Sequence, residues 1–239
     1  MYRFAHMLAF LTALLLSVFA RGESDPYAIG EAYKLDDRDE LVYREQYYDD
    51  GNAHHRVLYF SPEQELIARK TLNYSNSETA PDFRFEDLRF ELILEAKNID
   101  GEIALSKSAA GEQESGRVDL AERQVIDAGF VAMIQQHFTE LEQGLEFSFA
   151  FPGRLKNISL RAITVDFAAT PFTQRQSNYT YLKMELNNRF FAMFLDPIYL
   201  AFDSDKRLSG YAGRSNLTDS DNQAFDVLIQ YRYPPQSSQ

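Results

Sequence analysis

The chain has 239 residues and no cysteine, and its 36 acidic against 24 basic side chains give a net charge of -12. The missing cysteines exclude a disulfide framework, thiol catalysis, thiolate metal sites and a lipid attached through an N-terminal cysteine. The acidity argues against nucleic acid and against anionic lipid met through a basic patch, while an aromatic content of 14%, all Phe and Tyr, suits a β-rich protein.

Residues 1–20, MYRFAHMLAFLTALLLSVFA, read as a secretory signal peptide. Arg3 supplies the positive start, and the apolar run Met7 to Phe19 is shorter than the ~20 residues of a spanning helix. Cleavage fits after Ala20, with Gly22 as the alternative. No later stretch is long and apolar enough to span a bilayer as a helix, so no transmembrane segment is expected in the mature chain. Export without disulfides points to the periplasm of a Gram-negative bacterium, where the sequons at Asn73, Asn157, Asn178 and Asn216 carry no meaning.

Residues 21–40 are a polar lead-in, expected to be loosely held, and one domain is expected over 41–233. In "ELVYREQYY" the residues Leu41, Tyr43, Glu45 and Tyr47 share one face of a strand, and "HRVLYF" pairs with it across "DDGNAH" as a hairpin. "ELIARKTLNY" is a third strand. "DFRFEDLRFELILEAK" and "GEIALSK" follow, joined by "NIDG", whose Asp-Gly is a hairpin-turn signal. Residues 108–117, SAAGEQESGR, are small and polar and read as a loop at the tip of a hairpin. The period then changes: over 128–143, Phe130, Ile134, Phe138 and Leu141 recur at helical spacing, with Asp127 as N-cap and Gly144 as the stop. Alternation returns in "LEFSFAF", "NISLRAITVDF", "NYTYLKMEL", "RFFAMFL", "DPIYLAFD", "RLSGYAG" and "FDVLIQYRY", before a disordered tail at 234–239. The expectation is a mainly β (α+β) fold: a curved, mostly antiparallel sheet or half-barrel of about a dozen short strands, with one amphipathic helix packed on it.

Catalytic chemistry finds little footing. His54 and His55 are adjacent, so on a strand they point to opposite faces, and His137 lies beside Phe138. There is no Gly-x-Ser-x-Gly elbow, and the glycines of "SGYAGRSNLTDSDNQ" do not stand between a strand and a helix as a phosphate loop requires. Asp219, Asp221 and Asn222 echo an acidic calcium loop but lack its glycine and distal glutamate. No catalytic residue, metal site or cofactor is assigned. What stands out is the apolar surplus. It reads either as a large core or as a curved sheet around a cavity plugged by the helix. The cavity reading would line it with Phe130, Ile134, Phe138, Phe147, Phe149, Phe151, Phe190 and Met193.

The phrases "VYREQYY...HRVLYFSPEQELIARKTLNYS...PDFRFEDLR", "FVAMIQQHFTELEQGLEFSFAFPGR" and "LDPIYLAFDSDKRLSGYAGRSNLTD...FDVLIQY" together resemble a family of bacterial exported proteins with no assigned function. The resemblance runs over roughly 40–233 and implies a periplasmic protein, with no site residues to carry over. More distantly, many strands with a helix on one concave face are similar to the periplasmic lipoprotein-carrier half-barrels, an architectural likeness. That likeness implies shielding of an acyl chain; Arg44 or Arg69 stand as candidates for the arginine by which such carriers hold their closed state. Three functions are carried forward. The first is non-catalytic binding of an apolar, lipid-like or acylated ligand on the concave face. The second is an envelope interaction or assembly factor with a packed core and a protein partner. The third is a hydrolase.

Overall fold

The structure, a computed structural model, describes residues 25–187, 196–221 and 223–235. Among these, fifteen strands form one sheet. In chain order they are β1 Ala28–Lys34, β2 Leu41–Gly51, β3 His54–Phe60, β4 Leu66–Asn73, β5 Asp82–Asp87, β6 Leu92–Ile99, β7 Glu102–Ala109 and β8 Glu112–Asp119. There follow β9 Gln124–Ile126, the helix α1 Gly129–Gln136, β10 Leu145–Phe151, β11 Lys156–Thr164, β12 Thr180–Leu186, β13 Ile198–Phe202, β14 Leu208–Thr218 and β15 Ala224–Arg232. The mainly β fold with a curved sheet and a helix is as the sequence predicts.

The topology is a meander that turns back on itself. Strands β1 to β8 run outward in order on one side, β15 down to β9 on the other, and β1 pairs with β15 in the middle. All neighbours are antiparallel except β9 and β10, which are parallel. The central place of β1 corrects the reading of residues 21–40 as loosely held: alternate burial of Ala28, Gly30 and Ala32 was too short and too small-sided a pattern to stand out.

Local chemistry explains the turns. Asp100 and Gly101 both have positive φ, 51° and 87°, the mirror-image turn that an Asp-Gly hairpin favours. Ala110 and Gly111 repeat it at 51° and 82°, so the hairpin expected here is present, but its turn is these two residues and the rest of 108–117 is strand. The polar run "EQESGRVD" is the outer strand β8, and its charges suit an edge that must not recruit further strands. The long run over 82–97 is likewise two strands, broken at 88–91 where Glu91 adopts a positive φ of 53°. "SGYAGRSNLT", which the sequence places partly in a connection, is strand β14.

Paired residues in an antiparallel ladder share a face, so one face can be followed across the sheet. Leu182, Leu200, Tyr211, Ile229, Ala32 and Tyr43 lie in successive registers. Phe85 and Lys70 share this face with Val57 and Tyr47. It carries two buried clusters. One spans β1 to β7 with β14 and β15; the other spans β10 to β14 together with Met133 and Ile134 of α1. Tyr211 and Tyr231 pack against both.

The β9–β10 edge is covered from behind as well. Val125 and Phe149 belong to the concave face, while Ile126 and Ala150, on the opposite face, are fully buried with Ala96, Ile103 and Leu105 of β6 and β7. The β6–β8 end therefore overlaps the back of β9 and β10, and the sheet is rolled like a scroll. Side-chain bonds hold the overlap: Asn157 Nδ2 donates to the Asp119 carbonyl at 3.2 Å, and Gln124 Nε2, buried, lies 3.2 Å from both the Ser148 carbonyl and Asn157 Oδ1.

The helix is shorter than the span of 128–143. It ends at Gln136, and a separate 3₁₀ turn at Phe138–Glu140 completes the segment. Asp127 is not its cap: Ala128 stands at that position with no side-chain cap bond, and Asp127 points elsewhere.

Candidate functional site

The phenylalanine set falls into three groups. Ile134 and Phe147 are buried in the second cluster, with Phe130, Phe138 and Phe149 packed against it half-buried. Phe151 is half-buried beside Gly153 at the start of the 3₁₀ turn Pro152–Arg154, away from that cluster. Phe190 and Met193 lie outside the described residues. Around the helix, side chains meet one another: Phe138 contacts Phe202 edge-on at 6.2 Å, and Leu141, Leu145, Leu182, Leu200 and Phe202 are fully buried. Two surface depressions among the described residues lie over Glu95, Lys97, Ser106 and Arg117 and over Lys34–Asp36 and Ala224–Asp226.

The concentration of chemistry is on the other half of the concave face. Glu45 of β2, only 4% exposed, points inward between tyrosines. Its Oε2 accepts hydrogen bonds from Tyr47 Oη at 2.6 Å and Tyr231 Oη at 3.1 Å. Tyr231 reaches it by lying across Gly30, where an added Cβ would stand 2.8 Å from the Tyr231 ring. The glycine is thus a steric requirement of the bond. One register away, Tyr43 Oη and Ser215 Oγ are 2.9 Å apart and link β2 to β14.

Lys70 of β4 shares this face. Its Nζ is 2.7 Å from Asp127 Oδ2, and the two side chains are 7% and 11% exposed. The approach lies outside hydrogen-bonding angles, so Oδ2 is in ionic contact but is left without a hydrogen bond. Asp127 Oδ1 lies 3.4 Å from Asn216 Nδ2 of β14. The Tyr59 ring lies 5.8 Å from Lys70 Nζ on the other side. Asp127 holds a left-handed backbone with φ 43°, an uncommon conformation for an aspartate that surrounding structure must impose. Here Ile126 N donates to the Thr79 carbonyl at 3.0 Å, and Gly129 sits so close that an added Cβ would be 2.0 Å from that oxygen.

The electrostatics follow from burial. Loss of water raises the Glu45 carboxyl above its ordinary value, against the pull of Lys70 and the two tyrosine hydroxyls. Burial alone would lower Lys70, but the Asp127 carboxylate and then Glu45 outweigh it and the amine is held above its usual range. Tyr43, Tyr47, Tyr59 and Tyr231 are pushed far upward, chiefly by burial and then by the Glu45 charge, and of these Tyr47 and Tyr231 donate to Glu45 as neutral hydroxyls. At the outer end, Tyr27 is raised to about 12 by burial and the Asp49 charge; its hydroxyl meets His55 Nδ1 at 3.3 Å, and His55 packs edge-on to Tyr74 at 5.1 Å. Two carboxylates and one ammonium are gathered in a low-dielectric interior, Lys70 in direct contact with Asp127 and acted on by the Glu45 charge.

The sequence carried a signal for part of this. Glu45 falls on the Tyr43–Tyr47 face, and Lys70 alternates with Ala68 and Leu72, so each is a charge on an otherwise apolar face. Asp127 had none, because an aspartate before a helix reads as a cap. Comparison of the chain with family models, with curated proteins and with solved structures returned no match.

Proposed function

We propose that the chain is a non-catalytic protein of the bacterial envelope, exported to the periplasm, that works by binding a protein partner on its outer surface. The observation that carries this reading is the packing of the concave face among the described residues: Ile134, Leu141, Leu145, Leu182, Leu200 and Phe202 are buried in one cluster between helix and sheet. The contact surface best suited to a partner is the rim formed by Leu66, Leu88 and Phe90, the exposed large apolar side chains at the starts of β4 and β6. Leu88 N donates to the Ile67 carbonyl at 2.9 Å, which fixes Leu88 beside Leu66. The Arg89 guanidinium is held on Asp87 and stacks 4.8 Å over the Phe90 ring. Exposed Glu63, Glu65 and Glu91 border the patch, so the matching surface is apolar with a basic margin.

The test is a photo-crosslinking residue placed at Phe90, with one at Ser108 as control, in cells exporting the protein. A specific adduct at Phe90 that is lost on Leu88→Glu, with folding retained, supports the reading. Stoichiometric lipid copurifying with the exported protein, and displaced by bulky substitution at Phe147, would instead support an apolar ligand between helix and sheet and overturn it.

A further inference from the structure

We infer that Lys70 and Asp127 are the two halves of an intramolecular amide cross-link, formed with Glu45 as the proton carrier. The geometry is that of a condensation waiting to occur. A primary amine sits 2.7 Å from a carboxyl oxygen, both groups nearly buried, and both are anchored by backbone that cannot easily move them apart. Holding two reactants in this way replaces a bimolecular encounter by a unimolecular step, with effective concentrations that reach about 10⁵–10⁸ M in well-oriented cases. Exclusion of water serves the same end, because hydrolysis is the reverse reaction and a charged pair loses its solvation.

Each neighbour has a place in the step. Transfer of one proton from the Lys70 ammonium to Asp127 Oδ2 along their 2.7 Å contact frees the amine to attack; the charged pair is the resting form, so this is the slow step. Nζ then attacks Asp127 Cγ. A C–N bond forms, and the electron pair of the carbonyl moves onto Oδ1, which faces Asn216 Nδ2 at 3.4 Å as its hydrogen-bond donor. Oδ2, the oxygen without a hydrogen bond, is the one that departs. Glu45 takes one proton from the nitrogen and passes it to that oxygen, so it ends as it began. The C–O bond breaks, one water leaves, and a secondary amide joins the two side chains; no oxidant or other reactant is required. Glu45 stands on the same face of the sheet, and its register partner Tyr59 holds its ring 5.8 Å from Lys70 Nζ. The groups facing the reacting pair from neighbouring elements are Tyr59 of β3 and the hydroxyls of Tyr74 and Tyr211, all raised by burial first and uncharged. A reaction needed once per chain places no demand on turnover.

The link would join β4 to the β9–α1 junction and fasten the overlapped edge of the scroll to its wall. The inference is independent of the partner proposed above. Intact mass spectrometry of the folded full-length or processed chain tests it directly: the expected mass is lower than that of the corresponding sequence by one water. Tryptic digestion should then yield the segment 124–154 joined to a peptide missed at Lys70. Asp127→Ala and Lys70→Arg should each restore the sequence mass. Glu45→Gln, which keeps the shape of the side chain, should leave a folded protein with the two peptides separate or joined at least tenfold more slowly. An unmodified mass for the folded wild-type chain, with both peptides recovered free, overturns the cross-link. Joining at the wild-type rate in Glu45→Gln overturns the role given to Glu45.

Discussion

The two halves of the concave face solve the same packing problem with different chemistry. Over β10 to β13 the face is Leu, Phe, Met and Ala, closed by the helix, and no buried charge interrupts it among the described residues. Over β1 to β5, with β14 and β15, tyrosines surround Glu45 and Lys70, and the hydroxyls of Tyr43, Tyr47 and Tyr231 are each hydrogen-bonded. An apolar half is held by area and shape, which tolerate exchange of one side chain for another of equal volume. The polar half is held by named pairs, each of which fails if one member is removed. The seam between them is Tyr211 and Tyr231, which belong to both.

Substitutions separate the halves. Phe202→Ala in the apolar half should cost about 3–5 kcal/mol, read from chemical denaturation, because it empties a fully buried site. Lys70→Met should cost about 3 kcal/mol by leaving Asp127 buried and uncompensated, while Lys70→Met combined with Asp127→Leu removes the stranded charge but not the missing link and should recover only part of it. Recovery by the double variant would confirm that the pair is a matched unit; equal loss would mean that the charge itself is needed. Gly30→Ala should cost about 1–3 kcal/mol through displacement of the Tyr231 ring, and thermal melts of Gly30→Ala with Tyr231→Phe should show that the two losses do not add. Tyr43→Phe, which removes one hydroxyl bond to Ser215, should cost about 1 kcal/mol.

The smallest effect is one of pH. Glu45 is raised in the folded state, so its contribution to stability is present in full below its unfolded value near 4.5 and fades as pH rises through the higher folded value. Melting temperatures of wild type and Glu45→Gln should therefore differ most in favour of wild type at low pH and converge or cross toward neutrality. Glu86 and Glu95 on the outer face have the opposite sign. Burial opposes, but bonds from Arg69 and Arg84 to Glu86, and from Arg84 to Glu95, lower both, so their contribution is lost as pH falls below 4.5.

The fold was legible where the signal was periodic. Alternation in "ELVYREQYY", "LEFSFAF" and "FDVLIQY" located strands, and Asp100-Gly101 located a turn. It was less legible where small or charged residues make strands. β1 alternates on Ala and Gly, and β8 is an edge whose solvent side and partner side are both polar. The scroll was out of reach, because burial of Ile126 and Ala150 on the back of the sheet depends on contact with Ala96, Ile103 and Leu105, two hairpins earlier in the chain. The candidate site was half legible. Charges on the faces of β2 and β4 could be seen as out of place, but their convergence required knowing that β15 crosses Gly30 and that Asp127 turns inward.

The pairing of β1 with β15 makes the sheet a ring in sequence, with the chain's two ends meeting at its centre and the physical gap lying between β8 and β9. The register Ile29 to Arg232 brings together residues from opposite ends of the chain, among the longest loops this polypeptide can close. Contacts so distant in sequence slow folding, and the middle of the sheet waits for the last strand to arrive. A chain still being delivered from its N-terminus therefore holds two unjoined half-sheets, with β1 an open edge until β15 arrives. A circular permutant joined between Arg232 and Ala28 by a flexible linker, and opened at the exposed Ala121–Glu122 turn after β8, would turn that slowest pairing into a local hairpin. It should fold faster while enclosing the same interior.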